Sequence, residues 1–117
     1  MLVEVLTLEG CPHAAQAVEL ARRAIAEAGG VAEVQLVNVT REQADARRFL
    51  GSPSIRVDDH DVEPGADTRR DYAFSCRLYA TPAGLRALPP EEWLHTALAA
   101  ADPPARQEQL DDTAASS

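Results

Sequence analysis

From Leu2 to Leu8 the chain is apolar at nearly every position, interrupted by Glu4 and Thr7. So short and continuous a run predicts a strand covered on both faces. Gly10 turns the chain, and Pro12 suits the first turn of a helix, where a missing N–H costs nothing. Ala14, Val18, Ala21, Ile25 and Ala28 then recur every three or four residues, with Glu19, Arg22, Arg23 and Glu27 on the remaining faces. That is the stripe of an amphipathic helix, and Gly29-Gly30 closes it. Glu33 to Val39, rich in Val and Leu, reads as a second strand. Thr40 and Gln43 have the spacing of a capping box, and Ala44, Ala46, Phe49 and Leu50 supply apolar positions, so a second helix is expected up to Gly51.

Ser54 to Val57 is a short third strand entered directly from Ser52-Pro53. Residues 58–71 are polar and carry Pro64-Gly65, which predicts a loop and turn. Period two over Tyr72 to Tyr79 predicts a fourth strand with Tyr72, Phe74, Cys76 and Leu78 on one face, turning Cys76 toward the core. Pro89-Pro90-Glu91-Glu92 opens a last helix striped by Trp93, Leu94, Ala97, Leu98 and Ala101. Beyond it the periodicity fails, so residues 1–101 form the expected domain and 102–117 a disordered tail. The order β-α-β-α-β-β-α gives an α/β fold with three helices and a four-stranded mixed sheet. A parallel crossover followed by a hairpin sets its strand order as 2-1-3-4, the third strand antiparallel to its neighbours.

A chain of 117 residues, 45% hydrophobic and 26% charged, is sized for one globular domain. No apolar run approaches the ~20 residues that span a bilayer, so no membrane partner is expected. The net charge of −8 comes from 19 acids against 11 bases, every base an arginine, and it disfavours nucleic acid as a partner. Six of the acids, Asp58, Asp59, Asp61, Glu63, Asp67 and Asp71, fall in one stretch that reads as a solvated surface. Two cysteines and a start unlike an export leader point to the reducing cytoplasm, where thiols stay free.

Chemistry concentrates at Cys11. A thiol where a strand hands over to a helix faces the positive end of the helix dipole, which favours the thiolate. His13 can add positive charge nearby. His60, in the acidic loop, reads as a solvated histidine, and His95 on the last helix as a surface or partly packed one. No phosphate-binding glycine loop, nucleophile elbow or zinc-finger cysteine spacing occurs, and no cofactor or resident metal is implied.

Gly10-Cys11-Pro12-His13-Ala14, followed after a strand and a helix by Gly51-Ser52-Pro53-Ser54-Ile55, resembles the thioredoxin-like fold family. Within it, the chain is similar to small bacterial single-cysteine thioredoxin- and glutaredoxin-like proteins, which share a later Ser-Cys-Arg-Leu-Tyr stretch, here Ser75 to Tyr79. The resemblance implies a cis bond at Ser52-Pro53, a groove between Pro53 and Cys11, and substrate contacts from Pro12, His13, Ser52 and Pro53. It breaks at Ala14, where the second cysteine of the dithiol motif belongs, so the motif cannot close its own disulfide.

Three readings follow. In the first, Cys11 forms a mixed disulfide with a thiol or disulfide-bearing protein or small thiol, and an outside thiol or Cys76 resolves it. The second is soft-metal binding by Cys11 and Cys76 with His13 or His60. The third is a non-catalytic module that holds an extended peptide by backbone pairing beside Pro53.

Overall fold

In a computed structural model, which describes residues 1–30 and 32–101, strand β1 (Leu2–Thr7) lies at the centre of a four-stranded sheet. The expected tail, 102–117, lies outside the described residues. On one side β1 pairs in parallel with β2 (Glu33–Asn38), from Leu2 opposite Glu33 to Thr7 opposite Asn38. On the other it pairs antiparallel with β3 (Ser54–Val57), and β3 pairs antiparallel with β4 (His60–Asp61). The order is 2-1-3-4, as the sequence predicts.

Helix α1 (Ala14–Glu27) and helix α2 (Glu91–Ala101) cover one face of this sheet. Val3, Val5, Ile55 and Val57 point into them and are sealed by Ala17, Leu20, Ala24, Leu94 and Leu98. Each buried Val, Ile or Leu contributes about 1.5–3 kcal/mol, so this layer is the main source of stability. The opposite face carries a smaller cluster of Leu6, Val39, Ala44 and Phe49. Leu36, on the outer strand β2, remains 60% exposed.

Two expectations are corrected. The helix expected between Thr40 and Gly51 is a single 3-10 turn, Arg41–Gln43, followed by turns, so the described residues contain two helices and not three. Its start is built as predicted, with Gln43 Oε1 accepting the Thr40 N–H. It ends at Gln43, and the turns that follow leave helical geometry at Arg48, which has φ +55°, with the Phe49 N–H reaching back to Ala44 O. Arg56, from β3, donates to the carbonyls of Arg47 and Arg48 and takes up the ends that a longer helix would have used.

The fourth strand is also a different segment. Asp58 and Asp59 have φ of +48° and +72°, the left-handed pair that a two-residue hairpin turn requires. His60 and Asp61 therefore fold straight back and take the edge of β3. Tyr72 to Leu78 is irregular, and β5 (Tyr79–Thr81) pairs with β6 (Gly84–Arg86) in a separate hairpin. The phase is reversed as well, with Arg77 and Tyr79 buried and Cys76 and Leu78 exposed.

Candidate thiol site

Cys11 lies in the turn between β1 and α1. Its N–H donates to Leu8 O at 3.2 Å, and its carbonyl accepts the Ala14 N–H at 3.3 Å. The helix thus begins three residues after the thiol, with His13 as its N-cap. His13 makes no side-chain cap, and the first turn carries no acid, so nothing on α1 neutralises the positive end of its dipole facing this turn. The His13 ring pairs instead with Gln16 Oε1 at 3.0 Å. Pro12 is exposed, and Cys11 and His13 are half-buried.

Ser52 and Pro53 are buried between this turn and the 72–79 segment, and the bond joining them is cis, as the resemblance implies. The Ser52 hydroxyl accepts the Leu8 N–H at 3.1 Å. Its backbone N–H donates to Ser75 O at 2.8 Å, and its carbonyl accepts the Arg77 N–H at 2.9 Å. Ser52 and Cys76 are thereby partners in a parallel bridge. Four hydrogen bonds lead from Cys11 through Leu8 and Ser52 to the two residues flanking Cys76. Cys76 is not the core thiol its sequence phase predicts. Both sulfurs are free thiols, Cys11 half-buried and Cys76 exposed.

The same pairing bears on the peptide-binding reading. Both backbone groups of Ser52 are taken by the chain itself, so an extended peptide pairs there only if residues 75–77 leave.

Arg77, which the period-two reading puts on the face opposite Cys76, is the most elaborately bound side chain nearby. Only 3% exposed, it donates through Nη1 to Ser54 Oγ at 2.9 Å and Asp61 Oδ2 at 2.7 Å. Nη2 donates to Asp61 Oδ1 at 3.1 Å and Glu63 Oε1 at 2.7 Å. Its guanidinium carbon lies 4.2 Å from the centre of the Tyr79 ring, and Nε finds no protein acceptor among the described residues. Burial works against this charge, but the hydrogen bonds to Asp61 and Glu63 outweigh it and hold the guanidinium above the ordinary arginine range. The Tyr79 phenol, pushed up by burial, stays protonated and donates to Pro53 O at 2.6 Å. The signal for Arg77 lies in the acids: Asp61 and Glu63 are spaced to face one side of an extended chain, as are Arg77 and Tyr79.

Among the described residues neither cysteine belongs to a group of three close metal-ligating side chains. Glu27, Glu91 and His95 do form such a group, but His95 Nε2 lies 3.1 and 3.0 Å from the two carboxylates, and Arg23 Nε donates to Glu91 at 3.0 Å. Those contacts already satisfy it as an ionic link between α1 and α2. His60 is exposed on β4 and not in a loop, its Nδ1 3.6 Å from Asp67.

A cleft of about 340 Å³ opens beside the turn, lined by His13, Gln16, Arg86, Leu88 and Pro89 among others. A larger one, about 480 Å³, between the acidic loop and Trp93, touches neither cysteine. No helix among the described residues is long and apolar enough to cross a membrane. No protein-family model matches the chain, and no curated protein or solved structure does either.

Proposed function

We propose that the chain is a thioredoxin-like thiol protein that exchanges disulfides through Cys11, with Cys76 as the thiol that resolves the product. The observation that carries this reading is the run of hydrogen bonds from Cys11 through Leu8 and Ser52 to the residues flanking Cys76, with the Cys76 side chain exposed. In this reading Cys76 stands, outside the motif, for the second thiol that Ala14 denies within it.

In the first step the Cys11 thiolate attacks one sulfur of a substrate disulfide. The bond between Cys11 and that sulfur forms, and the other substrate sulfur leaves as a thiolate that takes a proton from solvent. The Cys76 thiolate then attacks Cys11 Sγ, expels the remaining substrate thiolate and leaves a Cys11–Cys76 disulfide. The substrate has gained two electrons and the chain has lost two, which an external dithiol reductant returns. Cys11 sits in the turn that opens α1, whose first turn has no side-chain cap and no acid, with exposed Pro12 and half-buried His13 next in the chain.

Oxidised glutathione and mass spectrometry test this. Cys76→Ser should accumulate a glutathione adduct on Cys11, wild type should pass on to an internal disulfide two mass units lighter than the dithiol, and Cys11→Ser should do neither. An adduct that forms on Cys76 alone would overturn the assignment.

A further inference from the structure

We infer that Arg77 is a positioning residue for Cys76, its buried guanidinium locking the Ser75–Arg77 segment in the one register that keeps Ser52 paired and the Cys76 thiol outside. The inference rests on the exchange reading above.

Arg77 is buried while Cys76 and Leu78 on either side of it are exposed, so whatever fixes Arg77 inward fixes Cys76 outward. Four hydrogen bonds to Ser54, Asp61 and Glu63, with the Tyr79 ring against the guanidinium, hold Arg77 inward. Glu63 also accepts from Arg69 at 2.9 and 3.0 Å, and Arg69 donates to Asp71, so the chain is held just before the irregular stretch as well as at Arg77 within it. Against Gly51 the fit is close, since a Cβ there would lie 2.8 Å from Arg77 Cβ.

Stability alone does not call for an arginine in this position. An apolar side chain of similar length would fill the volume without the cost of burying a charge. What the fork adds is discrimination between registers. A slip by one residue would set Cys76 or Leu78 against two carboxylates and move Arg77 into solvent. A single bridge to Ser52 is otherwise weak for so irregular a segment.

The test is the effective concentration of the Cys11–Cys76 pair, measured by equilibrating the full chain with reduced and oxidised glutathione. Arg77→Met, folded by circular dichroism, should show a value lower by about tenfold or more, because the thiol is no longer pre-positioned. Arg77→Lys, which keeps the charge but not the fork, should fall between the two, and it carries the test should Arg77→Met not fold. A purely structural role would lower the unfolding midpoint and leave the thiol equilibrium of the folded chain unmoved. Folded variants within twofold of wild type would overturn the role of Arg77 and leave the exchange reading standing. A wild type that forms no internal disulfide would instead remove Cys76 as the resolving thiol, and this inference with it.

Discussion

The Tyr79 hydroxyl donates to the carbonyl of Pro53 at 2.6 Å, tying the start of the β5–β6 hairpin to the cis peptide that enters β3. Both residues are buried, and the Tyr79 ring also stands against Arg77 and edge-on to Trp93, 6.3 Å between centroids. The buried turn, the buried cation and the last helix therefore meet on one side chain.

Tyr79→Phe removes the hydroxyl and keeps the ring. It should leave the Pro53 carbonyl buried without its donor, at a cost of about 1–3 kcal/mol in urea unfolding. Because burial holds the phenol protonated, one of the two tyrosines should also resist ionisation in an alkaline difference spectrum until the chain unfolds. Loss of both tyrosine protons from the folded chain would contradict the burial of Tyr79.

Gly51 has φ +120°, and a Cβ there would meet Arg77 Cβ at 2.8 Å, Arg77 Cα at 3.1 Å and Ser75 O at 3.2 Å. Backbone cannot yield as a flexible side-chain tip can. Gly51→Ala should therefore cost at least about 2 kcal/mol, from backbone strain with displacement of the 75–77 segment added. Hydrogen exchange should report the displacement directly, with faster exchange at the Ser52 and Arg77 amides than at those of β1. Uniformly faster exchange across the whole sheet would mean instead that the substitution acts on global stability alone.

Much of this architecture is legible in the sequence. Helix α1 carries a clear apolar stripe, β1, β2 and β3 are short apolar runs bounded by turns, and the strand order follows from a crossover and a hairpin. What escaped was decided by isolated backbone angles and by charge. The 3-10 turn ends at Gln43, and Arg48 at φ +55° bends the chain out of the helix that Ala44, Ala46, Phe49 and Leu50 predict. Asp58 and Asp59 make a hairpin turn in what reads as a solvated acidic loop, so β4 forms twelve residues before the alternation of Tyr72 to Leu78 begins. That alternation misleads because it counts Arg77 as polar and therefore outward, whereas Asp61 and Glu63 make it an inward residue. Cys76 is exposed for the same reason. The Cys11 turn and the buried Ser52-Pro53 follow the motif reading, and the bond from Leu8 to the Ser52 hydroxyl that connects them does not show in any spacing.

Helices α1 and α2 are joined across their exposed ends by Arg23, Glu27, Glu91 and His95. Hydrogen bonding to Glu91, with help from Glu27, raises the His95 imidazole above its usual 6.5, so its stabilisation is full below that value and lost as pH rises through the raised one. Hydrogen bonding to Glu27, Arg23 and His95 pulls Glu91 from 4.5 down to about 2, so its contribution is full above 4.5 and lost as pH falls toward 2. The link should be strongest between the two windows, near pH 5 to 6. His95→Gln should accordingly lower the melting temperature more at pH 5.5 than at pH 8.5. An equal loss at both values would show that His95 contributes by packing and not by charge.

Ala14 offers the sharpest separation of the thiol chemistry from the rest of the fold. Its N–H bonds to the Cys11 carbonyl, closing a turn whose ends lie within about 7 Å between Cα atoms. A disulfide spans about 4.4–6.8 Å, so a cysteine at 14 is within bridging range of Cys11 without rebuilding the turn. In a Cys76→Ser background, where the mixed disulfide on Cys11 has no internal exit, Ala14→Cys should restore insulin reduction with dithiothreitol as electron donor. Cys76→Ser alone should turn over only as fast as dithiothreitol resolves the adduct. A double variant that closes its 11–14 disulfide yet reduces no insulin would mean that the turn beside Pro53 does not admit a protein disulfide. The substrate would then have to be a small disulfide, which the same variant can be offered as oxidised glutathione.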